Sequence, residues 1–410
     1  MESNRSNLQH LFSIPVIVAA LGYFVDIYDL LLFGIVRVPS LKSFGLSDQD
    51  ISSVGASIIN WQMTGLLVGG ILWGVLGDKK GRLSVLFGSI LTYSLANIAC
   101  GFVADPSTYK VLRLIAGIGL AGELGAGITL VSEILPKNLR AIGTSLVAGI
   151  GLLGAVVAYF TVEFFDWRTA YFIGGGMGIM LLLLRIGVFE SKAFENIKSQ
   201  KHISRGNFFS LFTNKDRFLR YIKCIGMGLP TWFVIGILAT FSNEFGKALQ
   251  IAEPIKPGLS IMWCYVGLAI GDLASGFISH WFHSRKKAVL SLMFFAFIFS
   301  LVYLFTGIKT ATSLYTIQLL MGLGIGYWAM FVTMGAEQFG TNLRATAATT
   351  IPNMVRGTVV GMTALYGSLK PDFGVINAGT AVGMVCFFIG FLSVLTISES
   401  HGRDLDFLES

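Results

Sequence analysis

Twelve apolar runs divide this chain, and a run of about 20 apolar residues matches the hydrocarbon thickness of a lipid bilayer. They lie near 14–36, 52–76, 83–103, 108–132, 140–164, 168–189, 220–245, 258–281, 287–307, 312–334, 346–369 and 374–397. Only 13% of residues are charged and 54% are hydrophobic, whereas soluble domains carry about 25% charged residues. A chain so poor in charge cannot cover a globular surface of ordinary polarity. The pattern predicts an all-α polytopic membrane protein. The first run carries two Asp residues and no small-residue cleavage site, so it reads as a span and not as a signal peptide.

The one long polar interruption, about 190–219, is mostly basic and divides the chain into two six-helix halves, 1–189 and 220–410. Placing both termini and this loop in the cytoplasm puts roughly nineteen Lys/Arg inside against about eight outside, as the positive-inside rule requires. The net charge of +7 is thereby explained without nucleic acid. Cys100, Cys224, Cys264 and Cys386 all fall inside apolar runs and read as packing residues, not as disulfides or metal ligands.

The halves repeat. Arg113-xxx-Gly117-x-Gly119 in span 4 returns as Gln318-xxx-Gly322-x-Gly324 in span 10, and Glu133…Asn138-Leu139-Arg140-Ala141 returns as Glu337…Asn342-Leu343-Arg344-Ala345. The two matches agree in offset to within one residue. Two halves related in parallel form an architecture that places a substrate site between them, near the midplane.

These residues carry a resemblance over essentially the whole chain. The segment Gly74-VLG-Asp78-KK-Gly81-Arg82 resembles the G-x-x-x-D-x-x-G-R signature of the major facilitator superfamily, with every position filled. The span 4 exit SEILPKNLRAIGTS and the tail SESHGRDLDFLE are similar to sugar-porter segments. Asp26-Ile27-Tyr28-Asp29 resembles the D-G-[FY]-D element of the aromatic acid:proton and metabolite:proton symporters, with Ile27 in place of Gly. Val355-Arg356-Gly357 is similar to the G-R-x-G segment of the aromatic acid group. The resemblance implies twelve helices in two pseudo-symmetric halves, transport instead of catalysis, and proton coupling at the span 4 Arg. Span 5 lacks the proline of the drug-antiporter signature, which weighs against efflux.

Ionisable groups within a bilayer cost at least about 2.5 kcal/mol each on insertion scales, which makes them functional candidates. Five stand out: Asp26, Asp29, Arg113, Glu123 and Arg356. Counting helical rise from the cytoplasmic ends puts them about 14–28 Å deep. Asp26 and Asp29 share one helical face, and two carboxylates so close in low dielectric resist being ionised together. Arg113 needs an anionic partner, and Asp29 is the expected one. Asp26, Asp29, Arg113 and Glu123 are therefore the proton-coupling candidates. Arg356 presents a planar fork suited to a substrate carboxylate, with pairing to Glu123 or Asp26 as its resting alternative. Asp26, Gln62, Trp232, Tyr327 and Asn353 are candidates to line the substrate cavity beside it, and Asp272 has no evident partner. Asp78, Arg82, Glu133, Arg140, Glu337 and Arg344 sit at cytoplasmic span ends, where opposite charges from the two halves are expected to form a gate.

No nucleophile–base or metal-ligand constellation is visible, and no phosphate-binding loop points to ATP. The expected function is proton-coupled uptake of a small organic anion by alternating access, in a protein of the cell membrane that works as a monomer. Its partners would be the solute, protons and the bilayer, with no cofactor beyond the proton gradient. Two rivals remain: symport of a neutral or zwitterionic solute (a sugar, amino acid or osmolyte), and a transporter-like receptor that binds without moving its ligand.

Overall fold

A computed structural model describes residues 12–80, 82–123, 125, 127, 131, 135, 139–189, 208–340 and 343–400. Among these there is helix and no strand. The first half contains α1 (Ile14–Ser43), α2 (Asp48–Lys80), α3 (Arg82–Gly101), α4 (Pro106–Leu120), α5 (Arg140–Phe164) and α6 (Trp167–Phe189). The second contains α7 (Lys215–Phe233), which runs on as a π-helix over Val234–Ala239, then α8 (Pro257–Phe282), α9 (Arg285–Phe305), α10 (Ala311–Gly324), α11 (Trp328–Glu337), α12 (Arg344–Gly357) and α13 (Val359–Thr396). The described part of the loop predicted at 190–219 begins at 208, and α7 starts inside it.

Nine helical stretches among the described residues are long and apolar enough to cross a membrane. The difference from twelve has three sources. The span predicted at 83–103 appears as a shorter apolar helix, Val85–Gly101. The span at 108–132 is described continuously only to residue 123. The last two spans run together as Thr346–Thr396; within α13 they are separated at Gly374, whose φ of 77° is a left-handed conformation that an L side chain resists.

Local sequence explains where helices begin. Proline stands in the first turn of α1, α4 and α8, where a missing N–H costs nothing. Asp105 caps α4 by accepting from Ser107 N and Thr108 N, each at 2.9 Å. Hydrogen bonds from the Thr108 and Thr169 side chains hold the Asp105 and Asp166 carboxyls, both in loops, below the usual range.

The repeat has a packing meaning. A Cβ on Gly117 of α4 would overlap the Gln62 carbonyl of α2, and one on Gly322 of α10 would overlap the Cys264 carbonyl of α8. Glycine at these matching places lets paired helices approach backbone to backbone, as small residues do in membranes. The halves then meet along α2 with α12 and α5 with α8.

Candidate substrate and proton site

Gly22, Asp26 and Asp29 follow one another along a single face of α1 and meet three arginines at successive depths. A Cβ on Gly22 would overlap Arg185 of α6 and Glu123, which are ion-paired to each other. Next, Asp26 faces Arg356 of α12 at 3.6 Å, so this pair joins the two halves. Beyond it, Arg113 of α4 donates to Asn97 Oδ1 at 2.7 Å, Asp29 O at 3.0 Å and Gln62 Oε1 at 3.3 Å. All six ionisable side chains are at most 1% exposed.

Several pairings differ from expectation. Arg113 binds the main-chain carbonyl of Asp29, not its carboxylate, because Asn97 and Gln62 already supply neutral acceptors around the fork. Glu123 pairs with Arg185 and accepts from Ser89 Oγ at 3.4 Å, which leaves Arg356 to Asp26. Arg185 was not among the predicted residues. It lies near the end of its span, where a long side chain would be read as reaching the membrane surface.

The central cavity is small, about 10 Å³, and is walled by Tyr23, Leu152, Trp232, Tyr265, Trp328 and Arg356 among others. No organic anion fits in that volume, so this conformation is closed on its centre. The Arg356 guanidinium stands 6.0 Å from the Trp232 ring centre, which in turn lies 6.3 Å from that of Trp328. Neither Nε nor NH1 of Arg356 has a hydrogen-bond acceptor, and neither Asp26 carboxylate oxygen has a donor. This is a buried pair in loose contact with polar capacity unspent on both sides.

Of the other predicted lining residues, Gln62 donates to Leu30 O at 2.9 Å beside a second small void that Trp232 also borders. Tyr327 is turned away: its hydroxyl donates to Met227 O at 3.3 Å, and its neighbour Trp328 takes the place at the cavity wall. Asn353 is also displaced from the cavity, donating to Ala121 O at 2.8 Å and so tying α12 to the end of α4 across the halves. Asp272 of α8 has a partner that the sequence did not suggest. It accepts from Ala329 N at 3.0 Å, capping α11 where the span of α10 and α11 is broken.

At the end of the molecule where α1 begins and α13 finishes, Glu337 pairs with Arg285 of its own half, not with a charge from the other. Arg344 opens α12 at this end. The side chains of Asp78, Arg82 and Arg140, and all of Glu133, lie outside the described residues, so the expected charge network falls largely there. Among the described residues, two glycines of α2 approach α12 closely at this end: a Cβ on Gly70 would meet Asn353 Cβ at 3.0 Å, and one on Gly74 would meet Thr350 Cγ2 at 3.7 Å.

The opposite end carries an ionic cluster that the sequence reading missed. Arg37 of α1, fully buried, lies 3.9 Å from Glu244, just past the π-helix of the second half. Glu244 also accepts from Ser52 of α2 at 2.6 Å, from Lys370 at 3.0 Å and from Tyr366 at 3.2 Å.

Comparison with known proteins agrees with this architecture. The chain is 26% identical over 400 residues to the gentisate transporter of Corynebacterium glutamicum, covering 91% of this chain and 84% of that protein. It is 27% identical over 370 residues to the niacin transporter NiaP of Acinetobacter baylyi, covering 81% of each. The crystal structure of a D-xylose-proton symporter has the same fold, with a TM-score of 0.68, 17% identity and coverage of 95% of this chain and 99% of that one. The Major Facilitator Superfamily model matches residues 19–369, and the chain belongs to that superfamily of multi-pass membrane transporters.

Proposed function

We infer that this transporter carries an aromatic carboxylate together with a proton, by alternating access about the Asp26–Arg356 pair. That pair is the observation on which the reading rests, because it is the buried charge contact that joins the halves at the cavity. A proton on Asp26 cancels the charge that Arg356 faces, and an unpaired buried guanidinium is costly by several kcal/mol. A substrate carboxylate then satisfies the fork through Nε and NH1, while Trp232, Trp328, Tyr23 and Tyr265 offer ring faces to an aromatic body. Proton and anion thus favour each other's binding, and neither alone leaves the centre neutral. Arg113 and Asp29 lie one step along α1, and Glu123 with Arg185 one step the other way, as further stations for the proton.

The gentisate and niacin carried by the two relatives are both aromatic carboxylic acids, which supports this substrate class. The excess of Lys/Arg on the terminal side supports cytoplasmic termini in a cell membrane. The proton gradient serves as the energy source with no cofactor, and a single chain contains the whole site.

The test uses purified protein in proteoliposomes with an imposed pH gradient. Arg356→Lys keeps the charge but not the bidentate fork, and should weaken affinity for an aromatic carboxylate by at least about tenfold, roughly 1.4 kcal/mol. Arg356→Ala should be worse. A folded Arg356→Ala protein that transports with unchanged affinity would overturn the carboxylate reading in favour of a neutral solute. Binding without accumulation in the unmutated protein would favour a receptor.

A further inference from the structure

A cavity of about 620 Å³ opens at the end opposite the termini, between the halves, with Arg37, Ser52, Asn243 and Glu244 in its wall. Arg37 apart, the cations of its wall, Lys42, Lys247 and Lys256, are equalled in number by the carboxylates Asp48, Glu163 and Glu253. Lys42 and Lys247 share Asp48 at 3.6 and 2.8 Å, and Lys256 pairs with Glu163 at 3.1 Å. Towards the centre the balance changes. Arg37 and Lys370 have one carboxylate between them, Glu244, at 3.9 and 3.0 Å.

Arg37 is built into this position. A Cβ on Gly55 would come within 2.7 Å of Arg37 Cδ, so the absence of a side chain there makes room for the arginine stem. The guanidinium lies 4.5 Å from the Phe241 ring centre. Its NH2 donates to Thr240 O and Asn243 Oδ1, each at 3.0 Å. Its Nε and NH1 have no hydrogen-bond acceptor although the side chain is fully buried. A buried guanidinium with two unsatisfied nitrogens, beside a large cavity and in local surplus of positive charge, is suited to a carboxylate.

We propose that Arg37, in the inner wall of this cavity, and Lys370, which reaches Ser52 and Glu244 of that wall, form a second carboxylate-binding station, which an organic anion occupies before it reaches Arg356. The station rests on the anion reading above and deepens it. An arriving carboxylate competes with Glu244 for both cations. Glu244 also holds Ser52 of the first half, so the same exchange loosens the contact between halves at this end. A neutral solute gains no charge pairing from the two cations and leaves Glu244 in place. Selection for charge thus begins before the central site.

The experiment uses the full chain in nanodiscs, with benzoate as probe and benzyl alcohol as neutral control, read by saturation-transfer NMR. Arg356→Gln removes the fork of the central site. In that background benzoate should still give a signal well above benzyl alcohol. Adding Arg37→Gln should lower it at least fivefold, and adding Lys370→Gln at least twofold. Lys370 is partly exposed, so its variant decides the matter if Arg37→Gln does not fold. The proposal is overturned if Arg356→Gln protein gives no benzoate signal above benzyl alcohol, or if folded Arg37 and Lys370 variants leave that signal unchanged. Failure of the anion reading is seen separately, in transport by the unmutated and Arg356→Ala proteins.

Discussion

Arg113 and Gln318 occupy matching places in the two halves, and both reach across to a main-chain carbonyl: Asp29 O for Arg113 and Leu238 O for Gln318, each at 3.0 Å. Around them the glycines also match, Gly117 with Gly322 and Gly119 with Gly324, each against the backbone of a neighbouring helix. The difference lies in charge. Around Arg113 stand Asp29, Asp26 and the Glu123–Arg185 pair, all buried. The described hydrogen-bond partners at Gln318 are neutral: the Leu238 carbonyl that it binds also accepts from the Tyr303 hydroxyl at 3.3 Å. The repeat preserves packing and hydrogen-bond reach, while the buried charges beside this matching position belong to the first half alone among the described residues. The second half contributes Arg356 at the seam and uses Asp272 to hold a helix end.

The strongest test of that asymmetry is to break the Glu123–Arg185 pair. Glu123→Gln leaves Arg185 buried without its counter-ion and should cost about 3–5 kcal/mol, seen as a large fall in thermal unfolding temperature in detergent. Removing both charges with Glu123→Gln and Arg185→Met should recover most of that loss. If the double variant is no better than the single one, the charges of the first half do not act as a pair.

A smaller but more specific effect is expected from giving the first half the second half's residue. Arg113→Gln should reduce gradient-driven accumulation by at least about a hundredfold, roughly 2.7 kcal/mol, while counterflow exchange of substrate remains measurable. Asp29→Asn should behave alike. Accumulation at the unmutated level by either protein would mean that coupling does not depend on the charges that distinguish the halves.

The smallest effect should be the symmetric one. Gly117→Ala and Gly322→Ala each press a methyl group against an opposing carbonyl, and overpacking of this kind costs about 1–3 kcal/mol. The two losses of thermal stability should agree within a factor of two. A loss confined to one half would show that the shared motif is not a shared packing device.

The sequence disclosed the spans, the repeat and the central charges because each leaves a local mark: an apolar run, a spaced glycine pair, or an ionisable residue deep in a span. Arg37 and Arg185 were missed for a common reason. Each sits near a span end, where composition cannot tell a side chain that reaches water from one drawn into a buried contact. Asp272 stands out in the sequence without a visible partner, since that partner is a main-chain N–H exposed by a break in another span. The Asp26–Arg356 contact was open as one of two alternatives, and only the Glu123–Arg185 pair decides between them. Nothing in the run of residues 220–245 announced a π-helix.

That π-helix sets a phase. Thr240 N bonds to Ile235 O at 3.1 Å, five residues back, where an ordinary turn would reach four. The wide turn accommodates one residue more than an α-helix needs, and one residue corresponds to about 100° of rotation. Thr231 and Trp232 lie before it and face the central cavity, while Asn243 and Glu244 lie after it and face Arg37. A chain shortened by one residue within 234–239 would straighten into a regular helix and aim only one of those two groups correctly. The extra residue acts as a spacer in angle, and a comparison of natural length variants of this segment should find that deletions here travel with changes at Arg37 or Arg356.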